Sequence, residues 1–372
     1  MVLITRTGDF WSEMQRTLEA CAHDRDIADL VGWSTVAGVR STTLWSGALA
    51  PMVTRYGIRR PDWAWDEDLA RWLIEEWRIA LRADVVWHRT VAPLHNLVGP
   101  GEAIEIEDDL AIRPLTDEDR EALWRGFGGA GNPSEISPTP GQLQAWTHAI
   151  DLRWAMPRRS PRSDEAAVQT VTDVVRALRL HHPGVTGTTI LWTRLDPPDA
   201  PSDTSFEGDR LYAPHGRGLF MHPVRAHVGP GSAEEIRRLL AALRGGAGDK
   251  RLQLALRRFN AAYERYDHAD SLVDLWIAFE ALLVPERSEL KFRASLRIAR
   301  LVSGDADARQ RAHLLARRSY DLRSKVVHGE EPPTDLPTAL EDTRELAREV
   351  LRAWLLDPPS GGIEGLDRQF LA

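Results

Sequence analysis

From Leu252 to Trp354 the sequence repeats one pattern five times: an apolar stripe at helical spacing, then residues that a helix carries poorly. Leu252, Ala255, Leu256, Phe259, Tyr263 and Tyr266 form the first stripe. Leu272, Leu275, Trp276, Phe279, Leu282 and Leu283 form the second, with Asp270 or Ser271 as its expected N-cap. A third runs through ELKFRASLRIARLVSG and is closed by Gly304. Ala312, Leu315, Leu322 and Val326 mark a fourth, which must stop at Gly329 because Pro332 and Pro333 cannot continue it. Leu336, Leu340, Val350 and Trp354 mark a fifth. Helices joined by connections this short must bury their stripes against one another, so a compact all-α bundle is expected over residues 250–357.

Upstream the periodicity is mixed. DEDLARWLIEEWRIALR and SDEAAVQTVTDVVRALRL read as amphipathic helices, and EAIEIEDDLAIRPL as a β-hairpin turning at Asp108-Asp109. LTDEDREALW follows as a capped helix start, while TGTTILWTRLD and GLFMHPVRAHVG read as strands. Twelve of the 14 tryptophans lie in this part, as core or partner-surface anchors. Residues 1–245 are therefore expected to be α+β. The glycine-rich Arg244–Lys250 segment is the expected boundary, and residues 358–372 a C-terminal tail.

The chain is 372 residues long and 43% hydrophobic, enough for real cores. Its single cysteine, Cys21, excludes an intramolecular disulfide and a cysteine-rich metal site, which fits a reducing cytoplasm. Asp9 falls too early in MVLITRTGDF for a signal peptide, and no apolar run approaches the ~18 residues of a membrane span. A cytoplasmic location without membrane insertion is the expectation. The net charge of −8 argues against indiscriminate coating of nucleic acid. That average hides a local excess: Arg287–Lys325 holds 11 basic and 4 acidic residues. Either a solvated basic helical face or a localised phosphate-binding surface accounts for it.

Overlapping the end of that excess, RRSYDLRSKVVHGEEPP places Arg323 and His328 five residues apart, just before a helix must end. In a regular helix five steps would leave the two side chains ~140° apart. Gly329 lets the backbone leave helical geometry and turn the imidazole back toward the arginine. RNA carries its own nucleophile, the 2′-hydroxyl. Its cleavage needs proton transfer, for which histidine is suited, and positive charge on the crowded phosphate, for which arginine is suited.

DSLVDLWIAFEALLVPERSELKFRASLRIARLVSG followed by YDLRSKVVHGEE resembles the C-terminal HEPN domain of the ApeA-like type, over about Lys250–Leu356. The resemblance implies an all-α HEPN-type helical bundle following the α+β region. It also implies an Arg-x4-His pair, Arg323 and His328, serving metal-independent endoribonuclease chemistry that yields a 2′,3′-cyclic phosphate. No cofactor and no metal are expected. RNA is the implied partner, together with a second copy of the chain paired through this domain and a possible regulatory protein. A role in anti-phage or toxin-type defence is implied as well. Other HEPN domains only bind RNA, nucleotides or proteins, and that reading stays open.

Glu280 matches the acidic position of the second helix, either orienting Arg323 or His328 or closing a structural salt bridge with an arginine of the next helix. Ser324 either contacts phosphate or lies on the helix surface. Lys325 and the row Arg293, Arg297 and Arg300 either track an RNA backbone or form a solvated stripe. Tyr320 packs in the core or stacks on a base. Elsewhere, His215, His222 and His227 lack a supporting carboxylate for a metal, and GFGGAGNP (Gly126–Pro133) lacks the spacing of a phosphate loop. His181-His182-Pro183 reads as a helix C-terminal cap without chemistry.

Overall fold

The computed structural model describes residues 56–57, 59–120, 146–157, 164–196, 210–212, 225–286, 289–302, 304–331 and 334–368. A sheet-containing region is followed by a helical C-terminal part. The elements of the first region are α1 (Glu67–Arg82), β1 (Val85–Leu94), β2 (Leu97–Val98), β3 (Ile104–Glu107), β4 (Leu110–Pro114), β5 (His148–Pro157), α2 (Glu165–His181), β6 (Leu191–Leu195), β7 (Arg210–Tyr212) and β8 (Ala226–His227). The second comprises α3 (Ser232–Gly245), α4 (Lys250–Glu264), α5 (His268–Leu283), α6 (Leu290–Leu301), α7 (Ala306–Val327), α8 (Leu336–Leu356) and α9 (Gly362–Arg368). The strands hydrogen-bond in the order β3-β4-β5-β1-β6-β7, and β2 pairs in parallel with β8.

The chain forms two compact units, one of Met1–Thr90, Arg153–Ser163 and Thr193–Arg210, the other of Val91–Leu152, Asp164–Trp192 and Leu211–Ala372. In the first, Tyr56, Ala70 and Leu73 make a small core against Trp63 and Trp65. There too, Thr90 bonds Thr193 at 2.8 Å, and the Trp154 indole donates to Thr90 at 2.9 Å.

In the second unit, β3 and β4 are the hairpin expected at Asp108-Asp109, antiparallel with an irregularity between Glu105 and Glu107. Their alternation puts Ile104, Ile106, Leu110 and Ile112 inside. Val91, Leu115, Trp146, Ala149, Ile190 and Trp192 form one core cluster. Burial lowers His95 beneath it to about 4, so a neutral ring bonds Thr189 at 2.9 Å and takes the Trp146 indole N–H at 3.0 Å. Thr116 and Asp119 exchange side-chain and backbone bonds as the reciprocal cap that LTDEDREALW implies.

The expected boundary at Arg244–Lys250 does not separate the two units, because both of its flanks belong to the second. The glycines there make a tight corner between packed helices. Asp249 N–H bonds Gly246 O, and the Asp249 carboxylate caps α4 through the N–H groups of Arg251 and Leu252. A side chain at Gly246 would come within 2.6 Å of Leu252. Polar ties fix α4 and α8 to the earlier helix α2. The fully buried Arg179 donates to Thr186 O, Asn260 Oδ1 and Glu264, and Arg348 donates to Leu180 O at 3.1 Å.

The five expected helices are α4 to α8. Two details differ. Tyr266 lies past the end of α4 and is 76% exposed, so it leaves the first stripe. The N-cap of α5 is Asp267, whose carboxylate accepts from Ala269 and Asp270 N–H. The expected tail carries α9, and its Leu366 is buried.

Candidate functional site at the end of α7

One chain of polar contacts through the bundle seats α7. The Trp276 indole of α5 donates to Ser319 Oγ at 2.9 Å, Ser319 bonds Thr343 of α8 at 2.7 Å, and Thr343 donates on to Ala339 O at 2.6 Å. Tyr320 meets Trp276 edge-on at 5.0 Å and is half-buried in that packing. One turn further, the Arg323 guanidinium lies 5.6 Å from the Tyr320 ring centroid and pairs with Glu280 of α5 at 3.4 Å. Both charged side chains are about one-fifth exposed (20% and 22%). Burial raises the Glu280 carboxyl above its ordinary value, and the Arg323 charge opposes that shift without cancelling it. Among the described residues the Arg323 Nε–H has no hydrogen-bond partner.

Helix α7 ends where the sequence requires. Val327 is its last residue, His328 is the C-cap and Gly329 has φ +75°. Gly329 N–H bonds Val326 O and Glu330 N–H bonds Lys325 O, both at 3.0 Å, which is the paired closure of a Schellman end. This left-handed position needs glycine. Gly329→Ala is expected to cost about 1–2 kcal/mol, read as a lower denaturation midpoint.

His328 is exposed at this corner. No hydrogen bond, ion pair or ring contact joins it to Arg323 or Glu280 among the described residues. The structure therefore brings Arg323, Glu280 and Tyr320 together and leaves His328 beside them as a separate imidazole. Ser324 is half-buried, and its carbonyl takes the His328 N–H at 3.0 Å. Lys325 is exposed.

The row Arg293, Arg297 and Arg300 does not form one basic face. Arg293 lies 3.5 Å from Glu286 and 3.4 Å from Glu289. Arg297 is 2% exposed and wholly engaged: it donates to Leu283 O at 2.6 Å, grips both oxygens of Glu286 and pairs with Asp367 of α9 at 2.5 Å. Its hydrogen bonds hold the Glu286 carboxyl down at about 2. A side chain so occupied cannot track an RNA backbone, and Arg297 drops out of the proposed contact set. Its spacing carried the signal, since Ala294, Arg297, Ile298 and Leu301 stand at i, i+3, i+4 and i+7, the stripe that faces a core. Arg297→Ala is expected to cost about 2–4 kcal/mol by urea unfolding, because two carboxylates and a carbonyl lose their partner at once.

Arg300 is exposed and lies at the far end of α6 from Lys291, whose ammonium pairs with Asp321 of α7 at 2.6 Å. Nine residues of helix put Arg300 ~13 Å along the axis from that contact. It lines a cleft of about 620 Å³ with Arg348, Glu349, Arg352, Leu356 and Leu366.

Sequence reasoning missed Ser319 and Thr343, the hydroxyls that align α7. Ser319 sits between Ala312 and Leu322 on the same stripe, but a serine there is indistinguishable by pattern from a surface one. Of the three histidines weighed for a metal, His215 and His222 lie outside the described residues, and the His227 ring stands 5.6 Å from that of His182. Gly126–Pro133 lies outside them too. Among the described residues no group of three or more His, Cys, Asp or Glu side chains is placed to hold a metal ion, and no helix is long and apolar enough to cross a membrane. Comparison of the chain with protein-family models, curated proteins and solved structures finds no match.

Proposed function

We propose that the helical C-terminal part is a metal-independent endoribonuclease module of the HEPN type. The observation that carries this reading is the half-buried Glu280–Arg323 pair, one turn and a half before an exposed histidine on a capped helix end. Glu280 orients the guanidinium and leaves its other N–H groups for two phosphate oxygens. Arg323 then neutralises the phosphorane charge, and His328 moves the proton between the 2′-hydroxyl, the leaving 5′-oxygen and solvent. The products are a 2′,3′-cyclic phosphate and a 5′-hydroxyl. One imidazole cannot be base and acid in the same displacement, so two chains paired about a two-fold axis would supply one each. Lys325 and Ser324 stand beside the pair as phosphate contacts. Residues 1–245 would restrain or position the site, alone or with a regulatory protein, in a defence or toxin setting.

The absence of contact between Arg323 and His328 favours a second reading, a non-catalytic module that binds RNA, a nucleotide or a protein. End-labelled RNA incubated with purified protein in EDTA separates the two. Cleavage to cyclic-phosphate ends is expected. Retention of intact RNA on the protein would move the assignment to the binding module.

A further inference from the structure

A second constellation lies away from Arg323 and His328, within the same compact unit. His181, the last residue of α2, sits between two side chains of the first turn of α3. Its Nδ1 is 2.8 Å from Glu235 Oε2 and its Nε2 is 3.0 Å from Ser232 Oγ. A carboxylate can only accept, so Nδ1 carries the proton. In the neutral form of such a ring Nε2 is the acceptor, and the serine hydroxyl donates into it. Hydroxyl to imidazole to carboxylate is the order in which a serine becomes a nucleophile. Arg352 of α8 holds the other carboxylate oxygen, which fixes Glu235 from behind.

The remaining requirement is a set of donors for a developing oxyanion. Ala233 and Glu234 follow the serine directly, and their N–H groups belong to the unpaired first turn of α3; no acceptor takes them among the described residues. Ser232 does not spend its oxygen on capping that turn. It accepts instead from Gly229 N–H at 3.0 Å. A Cβ built at the neighbouring Gly229 or Gly231 meets nothing within 4 Å.

We propose that Ser232, His181 and Glu235 form a catalytic centre for carboxylic esters, independent of the RNA site. Ser232 Oγ attacks the ester carbon while its proton passes to His181 Nε2, and the carbonyl oxygen becomes an oxyanion held by the Ala233 and Glu234 N–H groups. Collapse breaks the bond to the alkoxy oxygen, which leaves as an alcohol carrying the proton from His181. Water, deprotonated by the same imidazole, then releases the acid and restores Ser232. Glu235 is a positioning residue that holds the tautomer.

The test treats the intact protein with a fluorophosphonate probe and maps the adduct by peptide mass spectrometry. One phosphonyl group on Ser232, with fluoride displaced, is expected. His181→Gln should slow labelling by at least ~100-fold. Glu235→Gln should slow it and shift its pH profile, which a packing role would leave unmoved. Folded wild-type protein unlabelled at Ser232, or His181→Gln labelled as fast as wild type, overturns the proposal and leaves the three residues as a clamp between α2 and α3. Because the decisive reading is made on the wild-type chain, a variant that fails to fold does not blunt it.

Discussion

Replacing His328 by alanine is expected to lower metal-free RNA cleavage by about 10²–10⁴-fold, the usual contribution of a positioned proton-transfer group. The melting temperature should not move. His328 is exposed, and its contribution to the helix end is made by its backbone, whose N–H bonds Ser324 O. Activity and stability therefore separate cleanly at this position. They do not separate at Arg323. Arg323→Ala would leave the half-buried Glu280 carboxylate facing no cation and cost stability as well as turnover. A His328→Ala protein that cuts RNA as fast as wild type would remove the imidazole from the reaction.

Trp276→Ala is expected to carry the largest stability loss, about 3–5 kcal/mol. The indole is fully buried on α5, where it meets Phe279 at 5.3 Å and Tyr320 at 5.0 Å, both edge-on. Its removal opens a cavity between α5 and α7 and takes away the N–H that Ser319 accepts. The urea midpoint should fall with the slope unchanged, as for a loss of packing in an otherwise intact native state. Trp276→Phe keeps much of the volume but not the donor, and should cost less than half as much. If the two variants were equally damaging, the hydrogen bond to Ser319 would outweigh the packing. Either change loosens the seat of α7, so cleavage should fall along with stability, in contrast to His328→Ala.

The helices were legible because their stripes are long and their stops unambiguous. Gly329 followed by two prolines leaves α7 only one place to end, and its φ of +75° is what that position demands. The hairpin at Asp108-Asp109 was legible for the same reason, with alternation on both sides of a turn. The Arg244–Lys250 boundary misled because glycines mark tight corners as well as linkers. Long-range ties reveal that helices on either side of it belong together: Arg179 to Asn260 and Glu264, 81 and 85 positions away, and Arg348 to Leu180 O. Charge was the other blind spot. Local counting treats Arg293, Arg297 and Arg300 alike, yet one neighbour of α6, Asp367, comes from a segment read as tail and turns Arg297 inward. Of the pair at the candidate site, Arg323 and Glu280 could be matched from helical position, whereas the lack of contact with His328 depends on side-chain directions that spacing does not encode.

The Arg297–Asp367 bond has a practical corollary for anyone handling this polypeptide. An expression boundary drawn before Asp367 would strip a countercharge from a sequestered guanidinium and leave Glu286 as its remaining carboxylate partner. Versions trimmed to the last long helix are thus poor surrogates for the intact polypeptide.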